Sequence, residues 1–274
     1  MSDTGYDLFL LEEKLWLAVS VTAVPHFDFR FQDFFQCRHP WEPPRDVSVV
    51  LRMGAVGDYA ARYASFASEG LNLIHTPEQY FRCSQLPGWY PLIEQLTPRS
   101  VCFDAFPTLR EVRKHFDFPF FMKGARQTSR HQRQLSIIES PDQFAAAAEV
   151  YAADPILQWQ RVVCREFIPL RPVGAHTSLT LPRAFEFRSF WWHGTCVSIG
   201  PYWIGEHYDM TETEKVAALS VAREAANQVN VPFLVVDVAQ TMEGRWIVIE
   251  CNDGQESGYA GNSPMSLWRR LLNL

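Results

Sequence analysis

Two apolar runs near the end of the chain constrain its fold more than any other feature. Residues 233–239 and 245–252 are rich in β-branched side chains, and a short polar segment centred on Glu243 and Gly244 separates them. Two such runs joined by a glycine-bearing turn are typical of a β-hairpin. The sequence therefore predicts a pair of antiparallel strands close to the C-terminus.

The register of this hairpin decides which polar side chains meet. If Met242 lies opposite Arg245, the pairing continues so that Asp237 lies directly opposite Glu250. Asn252 shares the face of Glu250, because residues two apart on a strand point to the same side. An even-length loop at this place therefore predicts a cluster of three oxygen-bearing side chains.

This cluster suggests a bound cation. Carboxylates that lie directly opposite each other are about 5 Å apart and repel one another. Oxygen ligands without histidine or cysteine favour Mg²⁺ or Mn²⁺, which keep positions open for phosphate oxygens. We therefore predict that Asp237, Glu250 and Asn252 are metal ligands. The alternative is a hairpin whose acidic side chains face water, since a register can slip by one residue.

Composition limits the class of protein. The chain has 274 residues, 47% of them hydrophobic, which is enough for a large core and two or three lobes. A net charge of −6 argues against a general nucleic-acid-binding protein. We expect a cytoplasmic protein without a membrane contact, because no signal-like or membrane-length segment is present. The six cysteines are scattered, which predicts reduced thiols: Cys37, Cys83, Cys102, Cys164, Cys196 and Cys251.

A lysine at the end of a strand is a candidate phosphate ligand. Lys123 closes the apolar run 120–123 and is followed by a basic, glycine-poor loop, residues 124–134, which contains Arg130. A packed stem with a projecting ammonium group suits a polyphosphate, and a loop rich in donors could close over it. The alternative is a lysine that extends to solvent beside a solvated basic loop.

Two further segments carry charge inside apolar surroundings. The extended segment Arg165, Glu166, Phe167 and Ile168 could offer backbone groups to an adenine edge and a carboxylate to a sugar hydroxyl or an amine, or it could be an edge strand with a surface ion pair. Glu186 and Arg188 share one face of an aromatic-rich strand and need partners there. Arg188 could pair with Glu186, or grip a phosphate or carboxylate.

Several familiar signatures are missing from the sequence. It has no histidine or cysteine spacing typical of zinc, no phosphate-binding lysine loop, and no nucleophile elbow. The aromatic residues between 27 and 41 are interpreted as core or as a lobe interface.

Taken in order, these segments resemble the ATP-grasp superfamily. The similar parts are residues 70–81, the lysine strand 119–124, the segment 165–168, and Asp237 with Glu250 and Asn252. Glu186 and Arg188, together with Lys123, resemble the clade named for two arginines and one lysine, which includes a eukaryotic cell-division-cycle factor that assists assembly of a translation initiation factor. The resemblance implies a mixed α/β and α+β fold. It consists of an N-terminal domain (1–104) and an ATP-grasp domain (105–274), the latter divided into a small lobe (105–165) and a metal-binding lobe (166–274).

The resemblance also implies a reaction. ATP would bind through Lys123, Arg130, Glu186 and the segment 165–168, with Mg²⁺ or Mn²⁺ at the predicted ligands. Arg188 and Lys123 would stabilise charge while a substrate carboxylate takes the γ-phosphoryl group, and an amine would then displace phosphate to give an amide. The loop that follows the metal strand supplies candidates for substrate contact: Gln255, Glu256 and Ser257.

Three functions stay open on the sequence alone. The first is a carboxylate–amine ligase acting on small acids and amines, such as amino acids or a peptide. The second is an ATP-binding assembly factor for a protein partner, which exposed aromatic residues near 27–41 could contact. The third is a phosphotransferase that stops after phosphoryl transfer.

Overall fold

The computed structural model describes residues 5–21, 29–42, 44–54, 56–126, 133–155, 157–174 and 182–274. The strands are β1 (Tyr6–Leu11), β2 (Leu15–Ser20), β3 (Cys37–Arg38), β4 (Val47–Arg52), β5 (Leu71–Leu73), β6 (Ser100–Phe103), β7 (Phe120–Gly124), β8 (Ile137–Ile138), β9 (Val162–Glu166), β10 (Glu186–Trp192), β11 (Thr195–Pro201), β12 (Phe233–Gln240) and β13 (Trp246–Asp253). The helices are α1 (Tyr59–Ser68), α2 (Pro77–Ser84), α3 (Leu86–Ile93), α4 (Leu109–Val112), α5 (Arg133–Ser136), α6 (Pro141–Ala153), α7 (Glu212–Val229) and α8 (Pro264–Leu272). Among these described helices, none is both long and apolar enough to span a bilayer.

The first sheet has the strand order β3-β1-β2-β4-β5, with β2, β4 and β5 parallel. Helix α1 begins at Asp58, whose side chain accepts a hydrogen bond from the Ala61 amide, and the chain leaves it through Gly70 at a φ of 81°. Thr76 starts α2 with a capping box. The predicted strand–helix–strand–helix order is confirmed, whereas the sequence pattern does not predict β1.

The second sheet has the order β6-β9-β7-β8, and all its neighbours are antiparallel. Its core is formed with α6, whose Phe144 and Tyr151 are buried. The predicted strand at 135–138 is wrong in part, because α5 takes the chain as far as Ser136. Strand β6 already belongs to this sheet although it precedes residue 105. The domain boundaries stay a prediction.

The third sheet has the order β11-β10-β12-β13 and is antiparallel throughout. Side chains of β12 alternate between its two faces. Val236 packs with the alanine-rich side of α7, whereas Val235 packs with Trp268 of α8. Asp237 points to the same face as Val235, because the two lie two residues apart in a regular strand. This sheet presents the candidate site.

A β-bulge in β13 sets the register at the site. Gln240 lies opposite Trp246, whereas Asp237 lies opposite Glu250, so β13 contains one more residue than β12 over this stretch. The loop is closed by the Thr241 amide, which donates to the Arg245 carbonyl at 2.8 Å. The predicted pairing of Met242 with Arg245 is therefore wrong, because the loop has an odd number of residues.

The predicted pairing of Asp237 with Glu250 is nevertheless confirmed, since the bulge restores the register. Without the extra residue, Asp237 would lie opposite Ile249, and Glu250 would point to the other face of the sheet. The bulge is thus the local feature that brings the two carboxylates together.

Candidate active site

A cavity of about 290 Å³ lies between the second and third sheets. It is lined by eight of the residues predicted to bind nucleotide or metal: Lys123, Arg165, Glu166, Phe167, Ile168, Glu186, Asp237 and Glu250. Arg188 and Asn252 contact members of this set without lining the cavity. Arg130 lies outside the described residues. The structure therefore brings most of the predicted nucleotide-binding and metal-binding residues to one place.

Asp237 is held by Arg188 from the neighbouring strand. The two residues are directly opposed in the β10–β12 pair. Arg188 Nε donates to Asp237 Oδ1 at 2.9 Å and Nη2 donates to Oδ2 at 2.7 Å, which is the bidentate geometry of strong arginine–carboxylate pairs. The guanidinium carbon also lies 4.9 Å from the centroid of the Tyr202 ring. The alternative in which Arg188 pairs with Glu186 is wrong.

Glu250 is held by a lysine from the other lobe. Lys123 Nζ of β7 forms an ion pair with Glu250 Oε1, and the Asn252 amide donates to Glu250 Oε2 at 3.2 Å. Lys123 is buried, so it does not extend to solvent. Each of the two opposed carboxylates thus has one cation beside it, and these cations come from different sheets.

Glu186 has no such partner. Its side chain is 6% exposed, and no group of the described residues donates a hydrogen bond to its carboxylate. Burial raises the pKa of Glu186 well above the ordinary glutamate value, and the charge of Asp237 adds to this effect. Burial also raises the pKa of Asp237, against the attraction of Arg188. For Glu250, Lys123 outweighs burial, and the pKa falls below its ordinary value.

The segment 165–168 combines a structural arginine with open backbone groups. Arg165 is buried, and its Nη1 donates to the carbonyl of the bulge residue Ile249 at 2.8 Å. Burial lowers the pKa of Arg165 to about 10. Glu166 is exposed at the end of β9, and the backbone groups of Phe167 and Ile168 bond to no other described residue. A role of the Arg165 side chain in binding nucleotide stays a prediction.

The loop after β13 turns two of its predicted substrate residues inward. Gln255 is fully buried, and its Oε1 accepts from the Leu51 amide at 2.9 Å. Ser257 Oγ donates to the Asp253 carbonyl at 2.7 Å. These contacts hold the loop together, and substrate contact through either side chain stays a prediction.

Glu256 joins the three parts of the molecule. Its Oε2 accepts from Arg126 Nη2 at 2.6 Å, and its Oε1 accepts from the Val56 amide and the Tyr80 hydroxyl, each at 2.9 Å. Arg126 also donates to the Tyr80 hydroxyl. No local pattern in the sequence signals this cluster, because its members lie up to 200 residues apart. Substrate contact through Glu256 stays a prediction.

A second buried cluster supports the loop from behind. His75 Nδ1 lies 3.0 Å from Asp253 Oδ1, and His75 Nε2 accepts from the Phe233 amide at 3.0 Å. Cys83 is the third member of this potential metal-ligand group. Since both ring nitrogens already have partners, the arrangement fits a neutral, structural histidine better than a metal ligand.

Comparisons with known proteins agree with this geometry. A family model for an ATP-grasp domain, family 3 of the clade named for two arginines and one lysine, matches residues 109–271, more than half of the chain. The chain belongs to this ATP-grasp family. No curated protein sequence matches the chain. The predicted relationship to the eukaryotic cell-division-cycle factor stays a prediction.

Solved structures with similar folds share little sequence with the chain. VanG D-Ala:D-Ser ligase from Enterococcus faecalis is 14% identical with a TM-score of 0.59, covering 82% of this chain and 71% of its own. D-alanine–D-alanine ligase from Bacillus anthracis, complexed with ATP, is 14% identical with a TM-score of 0.58, covering 82% and 78%. A RimK domain ATP-grasp protein from Sphaerobacter thermophilus is 14% identical with a TM-score of 0.54, covering 77% and 73%. The predicted ATP-grasp fold is confirmed.

The Arg188–Asp237 pair generates a first prediction. Arg188→Met should lower the free energy of unfolding by about 3–5 kcal/mol, because it leaves the Asp237 carboxylate buried without its cation. Urea unfolding measures this loss, and adding Asp237→Asn should recover part of it. Arg161→Met is the matched control, since Arg161 pairs with a largely exposed Asp104 and should cost about 1 kcal/mol or less. Equal losses in the two single variants would contradict the assignment.

The Glu256 cluster generates a second prediction. Burial, reinforced by Asp253 and opposed by Arg126, raises the pKa of Glu256 from 4.5 to about 7. The folded protein therefore holds a proton that the unfolded chain releases at its ordinary, lower pKa. Consequently, the free energy of unfolding should fall as the pH rises from about 4.5 to about 7. Glu256→Gln should remove this contribution, so the difference between wild type and variant should change across this window in pH-dependent urea unfolding. A constant difference would refute the raised pKa.

Proposed function

We propose that the protein is an ATP-dependent carboxylate–amine ligase that forms an amide or peptide bond through an acyl phosphate. The observation that carries the proposal is the convergence of Asp237, Glu250, Lys123 and Arg188 at one cleft between two sheets. Two carboxylates and two cations at this place suit a polyphosphate with its metal ion. Membership of the ATP-grasp family supports ATP as the nucleotide.

ATP would lie along the cavity, with its adenine against the segment 165–168. The backbone groups of Phe167 and Ile168 are available to bond to the edge of a base, and Glu166 and Glu186 can accept from hydroxyl or amine groups. Glu186 carries a proton more readily than an ordinary glutamate, because its pKa is raised, and this reduces its repulsion of the phosphates. Lys123 would turn from Glu250 to the phosphates.

The carboxylate pair fits a divalent cation. Asp237 and Glu250 are opposed across two strands, and both already attract a positively charged side chain. Asn252 adds an amide oxygen next to Glu250. Mg²⁺ or Mn²⁺ held by these three residues would neutralise phosphate charge during transfer. Lys123 and Arg188 would then be released from the carboxylates to contact the nucleotide.

The reaction would proceed in two balanced steps. A substrate carboxylate oxygen attacks the γ-phosphorus of ATP, the bond to the bridging oxygen breaks, and ADP leaves with the electron pair. An amine then attacks the acyl carbon, and inorganic phosphate leaves while the amine loses a proton. Arg188 would stabilise the transferring phosphoryl group, because its planar fork offers several donors to phosphate oxygens.

Two of the similar structures are named as ligases that join D-alanine to a second residue. These names support ligation as a class, and they make amino acids the first acids and amines to try. The assembly-factor alternative has weaker support, because Phe31 and Phe35 of the aromatic segment are buried in the core. Phe34 and Trp41 are exposed, and Phe27 lies outside the described residues.

The test is a screen of paired acids and amines with ATP and Mg²⁺, read by mass spectrometry and by ADP release. A ligase should release ADP only when both an acid and an amine are present, and a new mass should equal their sum minus water. ADP release that needs one substrate and yields a phosphorylated product would indicate a phosphotransferase. Tight ATP binding without turnover in any mixture would favour the assembly factor.

The position of Lys123 generates a prediction for nucleotide binding. Lys123→Met should weaken the binding of ATP at least about tenfold, which is about 1.4 kcal/mol, because the phosphates lose a buried cation. Calorimetry with a non-hydrolysable ATP analogue measures this loss. Lys114→Met is the control, since Lys114 is an exposed lysine of the same lobe and should leave the affinity unchanged. Equal affinities in the two variants would remove Lys123 from the nucleotide site.

A further inference from the structure

Arg52 is a buried cation that contacts the loop after the metal strand. It ends β4 in the first sheet and is 2% exposed. Its Nη1 donates to three backbone carbonyls of the loop: Gly254 at 3.0 Å, Gln255 at 2.8 Å and Ser257 at 3.0 Å. Its guanidinium lies 4.8 Å from the centre of the Tyr259 ring. One side chain from the N-terminal part therefore gathers three carbonyls of this loop.

These contacts determine where the loop's amide groups point. In a planar trans peptide the carbonyl and the following N–H point in opposite directions. Holding the carbonyls of Gln255 and Ser257 therefore turns the N–H groups of Glu256 and Gly258 away from Arg52. Neither of these two amides donates to any other residue in the described part of the chain. The loop thus presents two free donors on the side opposite Arg52.

The loop is also tied to the candidate active site. Arg188 Nη1 donates to the Gly258 carbonyl at 3.0 Å, while the rest of its guanidinium holds Asp237. By the same peptide geometry, this contact turns the Tyr259 amide away from Arg188, and that amide also has no acceptor among the described residues. Successive free amides beside an arginine form an arrangement that suits an anionic oxygen.

We propose that Arg52 is a positioning residue, which fixes the loop of residues 253–258 so that its free amides bind an oxyanion of the acid substrate or of its acyl phosphate. This inference rests on the proposed function, and it assigns to the first sheet a direct part in shaping the reaction site. Arg52 acts only through the loop and does not itself touch the reacting atoms.

The experiment compares Arg52→Met and Arg52→Lys with wild type in two measurements. Amide hydrogen exchange in residues 254–258 should be at least about tenfold faster in Arg52→Met, with β12 unchanged. The affinity for inorganic phosphate in the presence of ADP and Mg²⁺ should fall at least about tenfold, while the affinity for ADP alone stays the same. Arg52→Lys should lie between wild type and Arg52→Met, because an ammonium group can donate to the same carbonyls.

Phe66→Leu is the control for a general loosening of the first sheet, since Phe66 is buried in that core and does not contact the loop. It should lower the melting temperature without changing either readout. Unchanged loop exchange or unchanged phosphate affinity in Arg52→Met would overturn the proposal, as would wild-type protein that binds no phosphate. Neither readout needs an amine, so a failed ligation screen leaves this test valid.

Discussion

The opposition of Asp237 and Glu250 across two neighbouring strands is the constraint on which the site depends. Two buried carboxylates at this separation need positive charge beside them. Arg188 supplies it to Asp237 from the adjacent strand, and Lys123 supplies it to Glu250 from the second sheet. Because Lys123 belongs to the small lobe, the charge balance of the site also holds the two lobes against each other.

Binding of ATP with a metal ion would exchange these partners. Phosphates alone would draw Lys123 and Arg188 away and leave two carboxylates uncompensated, whereas a metal ion alone would displace the cations from their carboxylates. When both bind together, every charge keeps a partner of opposite sign. The four side chains therefore favour joint binding of nucleotide and metal, and the loop held by Arg52 would place the acceptor groups next to them.

Local patterns in the sequence predict a large part of this arrangement. The helix starts at Thr76, Ser140 and Thr211 follow from capping residues, and the strands of the third sheet follow from their apolar runs. An even-length loop predicts the Asp237–Glu250 pair, but the loop is odd and a bulge compensates for it. Nothing in a single sequence signals that extra residue, because a bulge depends on contacts such as the one between Arg165 and the Ile249 carbonyl. The contacts of Arg52 with Gly254 and of Glu256 with Val56 join residues about 200 positions apart, which periodicity does not detect.

The most direct test of joint binding is the affinity for a non-hydrolysable ATP analogue, measured by calorimetry with Mg²⁺ and again with a chelator. Wild-type protein should bind at least about tenfold more tightly with Mg²⁺, a difference of about 1.4 kcal/mol. Glu250→Gln and Asn252→Ala should lose most of this difference, because each removes an oxygen ligand or its charge. Equal affinities of the wild-type protein with Mg²⁺ and with chelator, or an unchanged difference in both variants, would contradict the account.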